Sequence, residues 1–398
     1  MFYGRGRKKV DTSCRLRRSR SRVRSWEMPV MAKTELGAGL LTALQQLPTS
    51  GARAVEVFTT NEGTFLGVPQ LARDVAGEAP YMNGGDSDME APIYRWQDDR
   101  FVEHEALALP GGEDLEYFEI DGRRFLAAAG VRSGNGPYDL DTDAVVYERV
   151  AGAWVPLQSF AVFAAKQWTA FSFDSRHFLG LSQGVVVDGV EPKHPRESCL
   201  FEWNGERFVP FQNFNGQWGY NFAFVSFAGE HYLAYADHVS GSSVNRWNGE
   251  KFVPLQTFSE TGGRAFRFFE ADGALWMVHA NLLNHTTLYR FDGAQFVERQ
   301  MLGGPGGREL CLIDGKEGRY LVRACFITGT PKAPVVMQQS EIFQWRDACF
   351  ELVGDFATSG ATDAASFVED GQRYLVVSNS LSDEIRFRID STLYRFNG

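Results

Sequence analysis

Hydrophobic and polar residues alternate along this chain over short runs, and the runs end at Asn-Gly, Asp-Gly and similar pairs. Alternation with a period of two marks half-buried strands, and the wider spacing of amphipathic helices is scarce. One stretch sets the ruler. Trp203-Asn204-Gly205-Glu206-Arg207-Phe208-Val209-Pro210-Phe211-Gln212 reads as strand, tight turn, strand, and it returns 44 residues later as Trp247-Asn248-Gly249-Glu250-Lys251-Phe252-Val253-Pro254-Leu255-Gln256. The Asn-Gly pair tolerates positive φ and reverses the chain between the two strands.

With the aromatic strand end before the turn as marker, seven copies follow. They are Tyr94-Arg95-Trp96, Val146-Tyr147-Glu148, Phe201-Glu202-Trp203, Asn245-Arg246-Trp247, Tyr289-Arg290-Phe291, Phe343-Gln344-Trp345 and Tyr394-Arg395-Phe396. Six intervals over 300 residues give a mean period of 50, the length of a four-stranded propeller blade. The chain stops at the last turn, and the missing strand is supplied from the other end by Leu41-Thr42-Ala43-Leu44-Gln45-Gln46-Leu47. The fold expected is therefore all-β, a seven-bladed β-propeller of four-stranded antiparallel blades, closed by the N-terminal strand. Closure removes two sheet edges that would otherwise invite aggregation. Gln45, Gln158, Gln212, Gln256 and Gln300 recur at one place in the unit. Repetition around a ring favours a packing role, with each amide bonding neighbouring backbone.

Composition divides the chain. Residues 1–25 carry ten Arg or Lys against Asp11, a net +9, so the overall charge of −10 leaves −19 on the remainder. Residues 1–34 read as a basic, Arg/Ser-rich disordered tail or a mis-assigned start, since Met28 and Met31 lie just before the first patterned residues. Residues 35–398 read as one propeller. Its acidic body argues against nucleic-acid binding. Five cysteines without metal spacing give neither a zinc site nor a disulfide framework, and a Cys311–Cys325 bridge is a minor alternative to reduced core thiols. No transmembrane run and no secretory apolar segment is present, which makes the cytoplasm the default compartment.

The Tyr-Arg-Trp-Asn-Gly-like marker, the Phe-Val-Pro-Phe-Gln strand and Tyr-Leu-Ala-Tyr-Ala-Asp at 232–237, returning as Tyr-Leu-Val-Val-Ser-Asn at 374–379, resemble the epilepsy-associated (EAR or EPTP) repeat family. The resemblance covers the chain after residue 35. It implies a seven-bladed propeller used without catalysis for protein recognition and adhesion, in relatives that are extracellular. The chain departs from the animal members in lacking a signal peptide, an accompanying leucine-rich or laminin-like domain and abundant cysteines. It looks more like a stand-alone, non-animal member.

A ligand is expected at the mouth of the central channel, on loops feeding the innermost strands. Candidate ligand-binding residues are Arg53, Lys166, Trp168, Trp218, Tyr220, Asn221, Arg264, Arg308 and Glu309, beside Glu113, Asp114 and Gln167. The aromatics have blade packing as their alternative. Asp237, Asp363 and Asn379 are candidate ligands for a structural calcium in the channel, which needs several oxygens converging from different blades. No other cofactor is expected. The expected partner is a protein, with a glycan as the alternative and a monomer as the working state. A hydrolase or lyase using Glu113, Glu116, Glu309 or Asp363 is a weaker alternative, because no motif singles out a pair.

Overall fold

The computed structural model describes residues 39–398, so the expectations for the basic tail lie outside the described residues. Seven four-stranded antiparallel sheets stand around a central channel, and no α-helix occurs among the described residues. Blade 3 shows the unit: an innermost strand Ala165–Phe173, then Arg176–Gln183, Ser198–Trp203 and an outermost Phe208–Phe214. The expected seven-bladed propeller is observed.

The local chemistry of the turns repeats. Asn204 Oδ1 accepts from the backbone N–H groups of Glu206 and Arg207 at 3.0 and 2.9 Å, while Gly205 takes φ of 98°. Asn248 and Asp292 make the same turn in the next two blades. After each turn the outermost strand bulges by one residue, as between Leu200 and Phe201 opposite Pro210-Phe211-Gln212. The edge position tolerates the proline, which has no N–H to donate.

Blade 7 closes the ring with strands from both ends of the chain. Leu41–Leu47 pairs with Ser391–Phe396 from Leu41 opposite Phe396 to Leu47 opposite Ser391. Beside this pair the Asn397 N–H donates to the Leu40 carbonyl at 2.9 Å. The recurring glutamines then join neighbouring blades. In each case the amide brackets one backbone unit at the start of the next outermost strand: Gln45 at Phe101, Gln158 at Phe208, Gln212 at Phe252, Gln256 at Phe296 and Gln300 at Phe350. Each amide satisfies a donor and an acceptor on an otherwise unpaired edge. Glu105 and Gly354 take the glutamine's place at the remaining two joints, and Glu105 pairs instead with Arg149 at 3.0 Å.

Between blades lie aromatic-rich cores, such as Phe171, Phe173, Phe178, Phe222, Leu233 and Phe252 between blades 3 and 4. Cys311 stands opposite Val322 and Cys325 opposite Gly307, and both thiols are unbridged. The minor disulfide alternative therefore falls, because the register separates the two sulfurs.

Candidate functional site

The innermost strand of each blade begins at one face of the ring, the mouth face, and runs down the channel wall. In six blades its second residue is a bulge, with register shifts spanning Gly112/Asp114, Ala165/Gln167, Gly219/Asn221, Gly263/Ala265, Gly307/Glu309 and Ala361/Asp363. A bulge re-aims one side chain out of the sheet pattern. Here the re-aimed residues are Glu113, Lys166, Tyr220, Arg264, Arg308 and Thr362, with Arg53 at the equivalent place in blade 1. The residue before each bulge is small for a steric reason. A Cβ on Gly307 would come to 2.8 Å from both Arg323 Nε and Thr286 Oγ1.

These seven residues form an upper tier around a cavity of about 30 Å³. Four are cations, Glu113 is their one carboxylate, and Arg53, Lys166, Arg264, Arg308 and Glu113 are all buried. Glu113 bridges Arg53 at 3.5 Å and Arg308 at 3.3 Å. Burial alone would raise its pKa, but Arg53, Lys166 and Arg308 outweigh burial and hold it below the usual carboxylate range. Burial pulls Lys166 down and brings Arg53 and Arg264 to about 10. The Tyr220 ring lies 3.7 Å from the Arg264 guanidinium and 5.8 Å from Lys166 Nζ. Arg264, Lys166 and Arg308 together pull its phenol below the ordinary value despite burial. Phe326 covers Arg308 and Arg53 at 4.9 and 5.7 Å.

Below the cations the wall turns acidic. Innermost strands leave one edge unpaired toward the channel, and side chains of the preceding blade cap it. Asp114 accepts from Trp168 N–H at 2.8 Å, Asn221 from Phe266 N–H at 2.9 Å and Asp363 from Val55 N–H at 2.9 Å. Two residues further down, Glu56 accepts from Tyr117 N–H and Glu116 from Ala170 N–H. Glu309 pairs with Arg267 at 3.0 Å. Burial, reinforced by the neighbouring carboxylates, raises Asp114 and Glu56, and burial raises Asp363 against the pull of two backbone N–H groups and of Arg267 and Arg308. Burial lifts Glu116 and Glu309 to about 7. These acids are committed to backbone and ion-pair contacts, which is a structural use.

Of the residues singled out in the sequence, Arg53, Lys166, Tyr220, Arg264, Arg308, Glu309 and Asp363 meet at this cavity, with Glu113, Asp114 and Gln167. Asn221 sits within the wall, donating to Gln167 Oε1 at 2.9 Å. Trp168 does not reach the channel. It packs between blades against Phe160 and Phe201, because the bulge at Lys166 turns it inward. Trp218 joins an apolar collar on the mouth face, stacked 6.4 Å from Tyr220 and edge-on to His238 at 5.0 Å. Asp237 and Asn379 do occupy equivalent strand ends, but their oxygens go to loop backbone: Asp237 accepts from Gln217, Trp218, Val239 and Ser240, and Asn379 from Ser359. They therefore do not join Asp363. Among the described residues no group of three His, Cys, Asp or Glu is placed to hold a metal ion. Sequence reading passed over Glu56, Arg267, Thr362 and Phe326. Following alternate positions down each innermost strand from the residue after the bulge finds Glu56 and Arg267.

Comparison with known proteins gives the following. The EPTP domain model matches residues 207–248. The thrombospondin-type laminin G domain and EAR repeat-containing protein of Mus musculus is 27% identical over 162 residues, 38% of this chain and 22% of that protein. Its Homo sapiens counterpart is 24% identical over 155 residues, with the same shares. The matched region thus spans about a fifth of the curated relatives' length. These similarities support the EAR/EPTP resemblance and give no support to the cytoplasmic default. No helix among the described residues is long and apolar enough to cross a membrane.

Proposed function

We propose, from an EPTP-type repeat at 207–248 set in a seven-bladed ring, that this chain is a non-catalytic module that recognises a protein surface through its mouth face. The observation that carries this is the distribution of exposed apolar side chains. Tyr81, Val186, Val187, Val239, Leu283 and Val335 all stand exposed on mouth-face loops, contributed by five of the blades. They rise from a buried apolar collar in which every blade takes part, including Met82, Val131, Val185, Leu282, Phe326 and Phe387. Exposed apolar groups gathered on one face over a rigid apolar base mark an interaction surface. The relatives' printed names join EAR repeats to a laminin G domain, which accords with a recognition role.

The test is comparative capture. The full chain is immobilised and a retained protein is compared among the parent, a Leu283→Asp/Val335→Asp double variant and Val155→Asp on an outermost strand away from the mouth. The expected result is loss with the double variant and retention with Val155→Asp. Retention by all three would refute a mouth-face site.

A further inference from the structure

The upper tier has a deficit that its own residues do not fill. Glu113 is shared by Arg53 at 3.5 Å and Arg308 at 3.3 Å, and Arg53 Nε still makes no hydrogen bond. Arg264 is only 5% exposed, yet its Nε and Nη1 have no hydrogen-bond partner. Its guanidinium instead lies against the Tyr220 ring. Leaving buried charged donors unmet is costly, and a native site that does so is built for something that supplies the acceptor. The carboxylates beneath do not supply it. Asp114 and Asp363 accept backbone N–H groups from the next blade, and Glu309 is paired with Arg267.

We propose that the cavity inside the ring of Arg53, Lys166, Arg264 and Arg308 binds one compact monoanion, a halide ion or a single carboxylate group. Size and charge select this class. A space of about 30 Å³ exceeds the ~10–15 Å³ that one water needs and is too small for a sugar or nucleotide. Of the carboxyl groups lining the cavity, Asp114 and Asp363 are turned to backbone N–H groups and Glu309 to Arg267, which leaves the four buried cations with Glu113 alone in their tier and favours a negative guest, while Phe326 and Tyr220 pack against the guanidiniums. The anion can arrive free or as the carboxylate of a docked polypeptide. The site does not depend on protein recognition at the mouth face, since the bulges position its cations regardless.

The experiment follows thermal unfolding of the full chain at pH 7 and fixed ionic strength, exchanging a bulky morpholine sulfonate for chloride, bromide or acetate. The expected result is a saturable rise of ~2–5 °C with the compact anions and none with the bulky one. Arg264→Gln is expected to raise the half-saturating concentration at least tenfold, while Arg246→Gln on the outer surface leaves it unchanged. Bromide diffraction on the parent chain provides a check independent of variants, with an anomalous peak expected beside Arg264 Nε and Nη1. A response to halide and acetate alike identifies a site selecting by charge and size, and a response to acetate alone identifies a carboxylate site. Identical melting in all salts, or a cavity that holds neither bromide nor acetate in crystals grown with each, would overturn the proposal.

Discussion

The two ends of the channel wall solve opposite problems with the same strands. At the mouth, bulged residues gather four cations around Glu113. Deeper, regular alternation brings Glu56, Asp114, Glu116, Glu309 and Asp363 together with Arg267 as counter-charge in their own tier, and Arg308 above reaches Glu309 and Asp363. All of these acids but Glu309 have a backbone task, capping the unpaired inner edge of the next blade. The mouth cations cap little backbone, and Arg264 keeps donors in reserve. Charge that is spent on holding the ring can thus be separated from charge that is held ready for a guest.

The sharpest way to break this contrast is at Glu113. Glu113→Gln removes the one carboxylate from among buried cations and is expected to destabilise the chain by ~3–5 kcal/mol in urea unfolding. A loss below ~1 kcal/mol would mean that the mouth is wetter or otherwise neutralised.

The deep tier should behave oppositely with pH. Glu116 rises from 4.5 to about 7 on folding, so the folded state holds the proton more tightly. Its contribution is complete below the unfolded pKa and is lost as pH climbs through about 7. Glu113, held low, contributes above the unfolded pKa and loses its share as pH falls. The half-buried His238 and the buried His279, both lowered to about 3 mainly by desolvation, also destabilise the fold on acidification. Comparing Glu116→Gln with the parent at each pH cancels these other groups. The variant, which keeps an acceptor for Ala170 N–H, should gain on the parent by roughly 1–3 kcal/mol between pH 5 and 8. A pH-independent difference would show that Glu116 titrates normally.

The smallest effect is expected at Asn221. Asn221→Asp retains the acceptor for Phe266 N–H, gives up the donor to Gln167 and adds an acid to the deep tier. The cost should be about 1 kcal/mol and should grow with pH, measured by the shift in the urea midpoint.

The ring was readable because its signals are local and repeated. Each aromatic strand end, Asn-Gly turn and clamp glutamine sits within one unit, and the strand at 41–47 fitted the register missing at the C-terminal end. The channel wall was readable only in part. Strict alternation puts Lys166 and Trp168 on one face, so no local pattern removed Trp168 from the expected channel lining. The extra residue at the bulge reverses that parity, sending Trp168 into the core and Gln167 to the cavity. The same reversal hid Glu56 and Arg267. Asp237 and Asn379 were correctly matched to one another, but no local pattern distinguishes an oxygen facing an axis from one capping a loop.

The seam where Leu40 meets Asn397 also sets how the ring would respond to force. The first and last strands are antiparallel, and their free ends emerge together on the face away from the mouth. Tension applied through both ends would load the bonds of the closing pair one after another, from Leu41 and Phe396 toward Leu47 and Ser391. A pull on the two termini would unzip this blade first. A pull on one terminus against a partner held at the mouth would instead load the whole ring.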